Sequence, residues 1–171
     1  MELRLGNITR MPDHEGRGWN ALMEALIFVG VQGSGKTTFY RERFFDTHVR
    51  ISLDMLRTRH REQLLLAACL AAKQPFVVDN TNPLPSDRAR YIGVAREAGF
   101  RVIAYFFDTT LRDAIQRNNQ RTGKQKIPVP AIAGAFRKLQ VPKLQEGFDE
   151  VYNVTIAPDG GFVVAKATAR P

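Results

Sequence analysis

Short runs of apolar, β-branched and aromatic residues alternate along this chain with longer stretches in which apolar positions recur at helical spacing. Leu26 to Gly30, Val49 to Ser52, Phe76 to Asp79 and Val102 to Phe107 are short and apolar nearly throughout, the pattern of strands buried on both faces. Between and after them, Lys36 to Phe45, Met55 to Lys73, Ser86 to Ala98 and Thr110 to Arg121 have the length of helices. Strand and helix in turn predict an α/β fold, a doubly wound and mostly parallel sheet. Asn82 and Pro83 signal the start of the third helix and Gly99 caps its end. Beyond that the rhythm loosens. Gly123 to Pro130 reads as a mobile loop and Ile132 to Leu139 as a short helix, and Val151 to Ile156 pairs with Phe162 to Ala165 as a hairpin across Pro158-Asp159-Gly160-Gly161.

The first residues do not share this alternation. Gly6, Pro12, Gly16 and Gly18 lie scattered among charges, which predicts a loosely ordered extension, residues 1–22, ahead of a domain spanning 23–171. With 171 residues, 44% of them hydrophobic and 25% charged, the chain has the size and balance of one globular domain, which excludes wholesale disorder and a fibrous repeat. No apolar stretch approaches the roughly 20 residues of a membrane span, and the N-terminus lacks a signal-peptide core, so the chain reads as soluble and cytoplasmic with no membrane partner. A single cysteine, Cys69 in an alanine-leucine run, reads as a buried inert thiol. His14 and His48 stand in no metal-ligand spacing.

Charge adds a bias towards polyanions. The formal net charge is +8, from 25 Lys and Arg against 17 Asp and Glu. The excess is concentrated: from Arg112 to Lys143, eight basic residues face the single acid Asp113.

The sharpest chemical signal is Gly30-Val31-Gln32-Gly33-Ser34-Gly35-Lys36-Thr37, which satisfies G-x-x-x-x-G-K-[ST] between an apolar strand and a helix. Glycines in that spacing let backbone N–H groups wrap a phosphate chain, and the helix beginning near Lys36 points its positive end at it. Gly30, Gly33, Ser34, Gly35 and Thr38 complete the cradle, Lys36 reaches the outer phosphates, and Thr37 offers a hydroxyl to Mg²⁺. ATP or GTP with magnesium is the implied cofactor pair. The motif alone leaves kinase, switch and motor open.

Ligands of doubly wound sheets bind outside the carboxyl ends of the strands, and two acids follow apolar strands there. Asp54 is the candidate base that takes the proton of an acceptor hydroxyl, or an N-cap for the helix from Met55. Asp79 fits a place near the metal waters or a hydrogen-bond hub. Arg57, one turn after Asp54 on the expected helix, would set a guanidinium beside the acceptor. Arg59, His60 and Arg61 read as solvated surface.

Taken together, Gly-x4-Gly-Lys-Thr, Ile51-Ser52-Leu53-Asp54-Met55-Leu56-Arg57, Val78-Asp79-Asn80-Thr81-Asn82-Pro83 and Arg117-Asn118-Asn119-Gln120-Arg121 resemble the polynucleotide 5′-hydroxyl kinases. The resemblance runs from about Leu26 to Val154. It implies a P-loop kinase fold with an arginine-bearing lid, ATP as donor, and nucleic acid 5′ ends as partner. It also implies Asp54 as the base, Arg57 on the phosphate of the terminal nucleotide, Asp79 and Asn82 on the substrate side, and Arg117 and Arg121 as lid arginines over the ATP phosphates. Two positions depart from the pattern: Leu53 stands where many members carry Arg, and Met55 replaces a second acid. No Asp-x-Asp phosphatase signature is present. The expected function is ATP-dependent phosphorylation of the 5′-hydroxyl end of DNA or RNA. A P-loop kinase of a small molecule or of another RNA-linked hydroxyl, and a nucleotide-dependent binding module without phosphotransfer, are the alternatives.

Overall fold

The computed structural model describes residues 23–123 and 126–167. The expected extension 1–22, with His14, and Lys124 of the basic segment lie outside the described residues. The chain runs β1 (Glu24–Val29), α1 (Lys36–Arg43), β2 (Val49–Ile51), α2 (Leu53–Leu56), α3 (Arg59–Ala72), β3 (Phe76–Val78), α4 (Pro85–Glu97), β4 (Arg101–Phe107), α5 (Leu111–Asn119), α6 (Val129–Lys138), a 3₁₀ turn (Leu144–Glu146), β5 (Glu150–Ile156) and β6 (Phe162–Lys166). The six strands lie in the order β2-β3-β1-β4-β5-β6, parallel except for β6, which forms the expected hairpin with β5. The doubly wound, mostly parallel sheet is thus present.

Every residue of β1 is buried, as a central parallel strand requires. Its side chains part to two cores. Leu26 and Phe28 join Phe39, Phe44, Tyr105 and Phe107 under α1, where Phe28 lies 5.0 Å from the Phe107 ring. Ala25, Ile27 and Val29 face Leu66, Cys69, Tyr91 and Ile92 of α3 and α4. Cys69 is buried as expected, and burial raises its thiol pKa. A third, small cluster joins Val31, just after β1, to Ala114 of α5 and Ile132 of α6. Among the described residues no helix is long and apolar enough to cross a membrane.

Two expectations need correction. The helix read as Met55 to Lys73 is broken in two: Arg57 takes a left-handed φ of 69° and closes α2 by donating its N–H to Leu53 O. Thr58 then caps α3, its hydroxyl accepting from Arg61 N at 3.3 Å. Thr58 competes for a helix start there, and the apolar period is too coarse to show a one-residue reversal. Likewise α6 begins at Val129, inside the expected loop. Pro130 fits the first helical turn because the N–H it lacks has no intrahelical partner there.

The order of connections opens the site. From β1 the chain moves outward to β2, whereas from β3 it crosses β1 to reach β4, so the loops after β1 and β3 diverge and leave a crevice between them. The loop after β3 has no regular hydrogen bonding of its own. Arg88 of α4, fully buried, stands in: its Nη1 donates to the carbonyls of Asn82 (3.0 Å), Pro83 (3.3 Å) and Gln140 (3.1 Å), and its Nε and Nη2 hold both oxygens of Glu146 at 2.7 Å. Truncating one partner of a buried pair leaves the other uncompensated, so Arg88→Ala is expected to cost about 3 kcal/mol or more in urea unfolding. Arg88→Lys recovers little of that, because a single ammonium cannot span these five acceptors.

Candidate active site

A cleft of about 380 Å³ lies over the carboxyl ends of β1, β2 and β3. Its wall on one side is the loop Gly30 to Thr37. Gly30 N donates to Thr81 O at 3.1 Å, tying that loop to the one after β3. A side chain at Gly30 would meet Phe107 Cβ and Ser34 Oγ at 2.9 Å. At Gly33, with φ of 81°, a Cβ would stand 2.4 Å from Ala114 O, a contact that backbone cannot relieve. Arg117 clasps the loop from α5: its Nε donates to Gly33 O at 2.6 Å and its Nη2 to Thr109 Oγ1. Ser34 Oγ is buried on the cleft wall with no bonding partner among the described residues, as a hydroxyl awaiting a ligand would be.

Lys36 lies beneath this loop, its ammonium donating to Gly30 O and Val31 O at 2.8 Å each. Removal from water lowers its pKa to about 8, against the raising pull of Asp79; Arg121 lowers it further. The carbonyls hold the ammonium where a phosphate chain would displace them. Beside it Thr37 Oγ1 donates to Asp79 Oδ2 at 3.0 Å, and Arg50 Nε donates to the same oxygen at 2.8 Å. One hydroxyl and one carboxylate suit Mg²⁺, which takes oxygen ligands and fills most of its shell from water and phosphate. Among the described residues no group of three His, Cys, Asp or Glu forms a protein cage for an ion.

Residues of α2 and of the turn after β3 line the same cleft. Asp54 and Leu53 of α2 line it, and Leu53 N donates to Asn80 Oδ1 at 2.9 Å, which fixes the turn against the end of β3. Asn80 Nδ2 donates to Glu62 Oε1 at 2.7 Å, Tyr91 OH donates to the same oxygen at 2.9 Å, and Arg59 Nη1 donates to Glu62 Oε2 at 2.7 Å. Glu62 is buried, so its carboxylate requires these donors. Burial, with that carboxylate beside it, pushes the Tyr91 phenol up to about 12, keeping it a neutral donor.

Gly33, Ser34, Gly35, Lys36, Thr37, Asp54, Asp79, Asn82 and Arg121 all line the cleft, with Gly30 at the root of the loop. Asn82 also donates from Nδ2 to Phe28 O at 2.8 Å, in the left-handed region at φ 47°, so it pins the loop after β3 to β1. Three residues fall elsewhere. Thr38 is exposed on α1, Arg117 is spent on the P-loop backbone, and Arg57 is exposed where the chain reverses after α2, so it does not continue a helical face from Asp54. Arg59, read as solvated surface, is exposed, and it is also the α3 guanidinium that lines the cleft. Sequence reading also missed Arg50, Glu62, Asn80 and Tyr91. The available signals were a charge inside the short strand Val49-Arg50-Ile51 and an acid one turn after Arg59.

The model of a family described as "AAA domain" (AAA_33) matches residues 26–140, two thirds of the chain and all of this cleft's phosphate side. The chain belongs to the AAA_33 family. This AAA_33 domain is kinase-like and its family binds ATP. Its sequence is similar to a bifunctional polynucleotide phosphatase/kinase of Schizosaccharomyces pombe, 25% identical over 137 residues. It is similar also to a putative one of Acanthamoeba polyphaga mimivirus, 28% identical over 139 residues. In each case 77% of this chain matches 33% of the relative, so the chain spans about a third of the length of these curated relatives. The solved structure of a gluconokinase from Sinorhizobium meliloti 1021 shares the fold, with TM-score 0.56 and 20% identity over 80% of this chain and 84% of that one.

The Lys36 environment sets a pH dependence. Bound ATP phosphates would hold Lys36 charged, whereas burial lets the free AAA_33 domain lose that proton as pH rises through about 8, so binding above that pH would take up a proton. The Kd for ATP, measured calorimetrically in buffers of different ionisation heat, is expected to change little near neutrality and to rise about fivefold from pH 8 to 9. A Kd that stays level over that interval contradicts this reading.

Proposed function

We propose that this domain transfers the γ-phosphoryl group of ATP to the 5′-hydroxyl end of a nucleic acid strand. The observation that carries the reading is that Asp54 lines one cleft together with Lys36, Thr37 and Arg121. A binding module without phosphotransfer needs no carboxylate to take a proton from an acceptor hydroxyl. Asp54 accepts the proton of the acceptor hydroxyl as its oxygen bonds to phosphorus and the bond from phosphorus to the ADP oxygen breaks. Lys36 and Arg121 offset the charge that builds on the transferred group and the leaving oxygen. Thr37 and Asp79 would hold Mg²⁺, which would supply further charge neutralisation. The polynucleotide acceptor is supported by the names of the two sequence relatives and by the basic excess after Arg112.

The test is label transfer from γ-labelled ATP, with Mg²⁺, to paired DNA and RNA oligonucleotides differing only in a 5′-hydroxyl or a 5′-phosphate. Labelling is expected on the 5′-hydroxyl strands alone, with Asp54→Asn reducing kcat by about 100-fold or more while the Kd for ATP holds. A folded, ATP-binding protein that labels neither polymer overturns the polynucleotide acceptor and turns the search to small hydroxyl compounds. Full activity in Asp54→Asn removes the base.

A further inference from the structure

Three donors converge on one oxygen of Asp79. Arg50 Nε lies at 2.8 Å and Arg50 Nη2 at 2.7 Å from Oδ2, and the Thr37 hydroxyl at 3.0 Å. The Asp79 side chain is only 2% exposed, so its charge cannot be left to water. Arg50 comes from the edge strand β2, where the alternation of a strand sends Ile51 into the α3 and α4 core and Arg50 to the opposite face, over α1. It therefore arrives beside Thr37 and Tyr40.

The same guanidinium also touches the hydroxyl itself: Arg50 Nη2 donates to Thr37 Oγ1 at 3.2 Å. A threonine hydroxyl has one proton and two lone pairs. Here the proton goes to Asp79 and one lone pair to Arg50. A cation that bound this hydroxyl would have to share the second lone pair beside a guanidinium, or take the first and expel Arg50. Both are opposed by like charge at close range. Arg50 has somewhere to go: its side chain is 22% exposed, and its Cζ already lies 5.8 Å from the centre of the Tyr40 ring, whose face can hold a cation.

We infer that Arg50 is a built-in counter-cation of the Thr37–Asp79 pair that competes with Mg²⁺ for it, and so sets the magnesium concentration at which nucleotide binds tightly. Arg50 neutralises Asp79 and orients the Thr37 hydroxyl while the site is free, and yields that role to the divalent ion. The inference depends on the phosphate side of the cleft and is independent of which acceptor the domain phosphorylates.

The experiment reads nucleotide binding without turnover. Affinity for a fluorescent ADP analogue is titrated against Mg²⁺ for the wild type and for Arg50→Gln, which keeps a hydrogen bond to Asp79 without the charge. The magnesium midpoint is expected to fall about tenfold in the variant, a coupling of ordinary size for two ligands sharing one site. Magnesium alone, without nucleotide, is expected to raise the melting temperature of Arg50→Gln and not that of the wild type. A midpoint that is unchanged or higher overturns the inference. Should Arg50→Gln not fold, the wild type answers directly through the Nε–Hε NMR signal of Arg50, assigned with Arg50→Lys. That signal is expected to stay in place on addition of ADP with EDTA and to move when Mg²⁺ follows. A signal indifferent to Mg²⁺ overturns the proposal.

Discussion

A guanidinium wholly removed from water must find acceptors for its donors, and in this fold the demands of Arg88 organise what lies around it. The acceptors it finds are the carbonyls of Asn82, Pro83 and Gln140 and the carboxylate of Glu146. Those groups come from the loop after β3, the segment after α6 and the 3₁₀ turn before β5, none of which has ladder bonds to hold it. One side chain of α4 thus gathers three irregular segments. Because the loop after β3 is the floor of the cleft, holding it still holds Asp79 and Asn80 at the ends of their reach. Asn82 completes the anchorage by bonding back to Phe28 of the central strand.

Upon that floor cations and carboxylates share one cleft. Lys36 and Arg121 both line it, and the Lys36 ammonium, its pKa lowered to about 8 by burial, is held by the carbonyls of Gly30 and Val31. Asp54 of α2 lines it too, and Glu62 is buried under donors from Arg59, Asn80 and Tyr91. Low dielectric around Glu62 strengthens each of those bonds and makes loss of any one expensive. The turn that carries Asp54 is consequently fixed through Asn80 and Leu53 N to groups on three other elements, which gives a short α2 the rigidity its length alone would not provide.

Much of this was legible in the residues. The alternation of short apolar runs with helix-length stretches gave four of the parallel strands within a few residues, because strands buried on both faces leave an unbroken apolar signature. The P-loop was legible because its glycines are required by backbone approach, as the Gly33 contact with Ala114 makes concrete. What escaped was of another kind. The reversal at Arg57 depends on one non-glycine residue in the left-handed region, and no residue type announces that. Glu62 and Arg50 were not singled out, since burial of a charge is decided by partners distant in sequence: Tyr91 and Asn80 for one, Asp79 and Thr37 for the other. Asp54 keeps its place on the cleft although the helix around it was misread, because strand ends, more than helix boundaries, decide which residues reach the crevice.

The basic segment after Arg112 illustrates why net charge is a weak guide to individual side chains. Two arginines one helical turn apart, Arg117 and Arg121, were grouped as lid residues, and the fold separates them. Arg117 is inside hydrogen-bonding range of the P-loop backbone, and its partial burial lowers its pKa, as expected of a cation used for structure. Arg121 lies just past the end of α5, where Asn118, itself buried, bonds both the N–H and the carbonyl of Ile127 and so folds the following loop back on the helix. That closure leaves Arg121 projecting into the cleft close enough to depress the Lys36 ammonium. Two cations lining one cleft repel each other, and a phosphate chain between them would satisfy both. The same pair of charges would therefore weaken the free state and stabilise a loaded one, which is the differential that binding a polyanion requires.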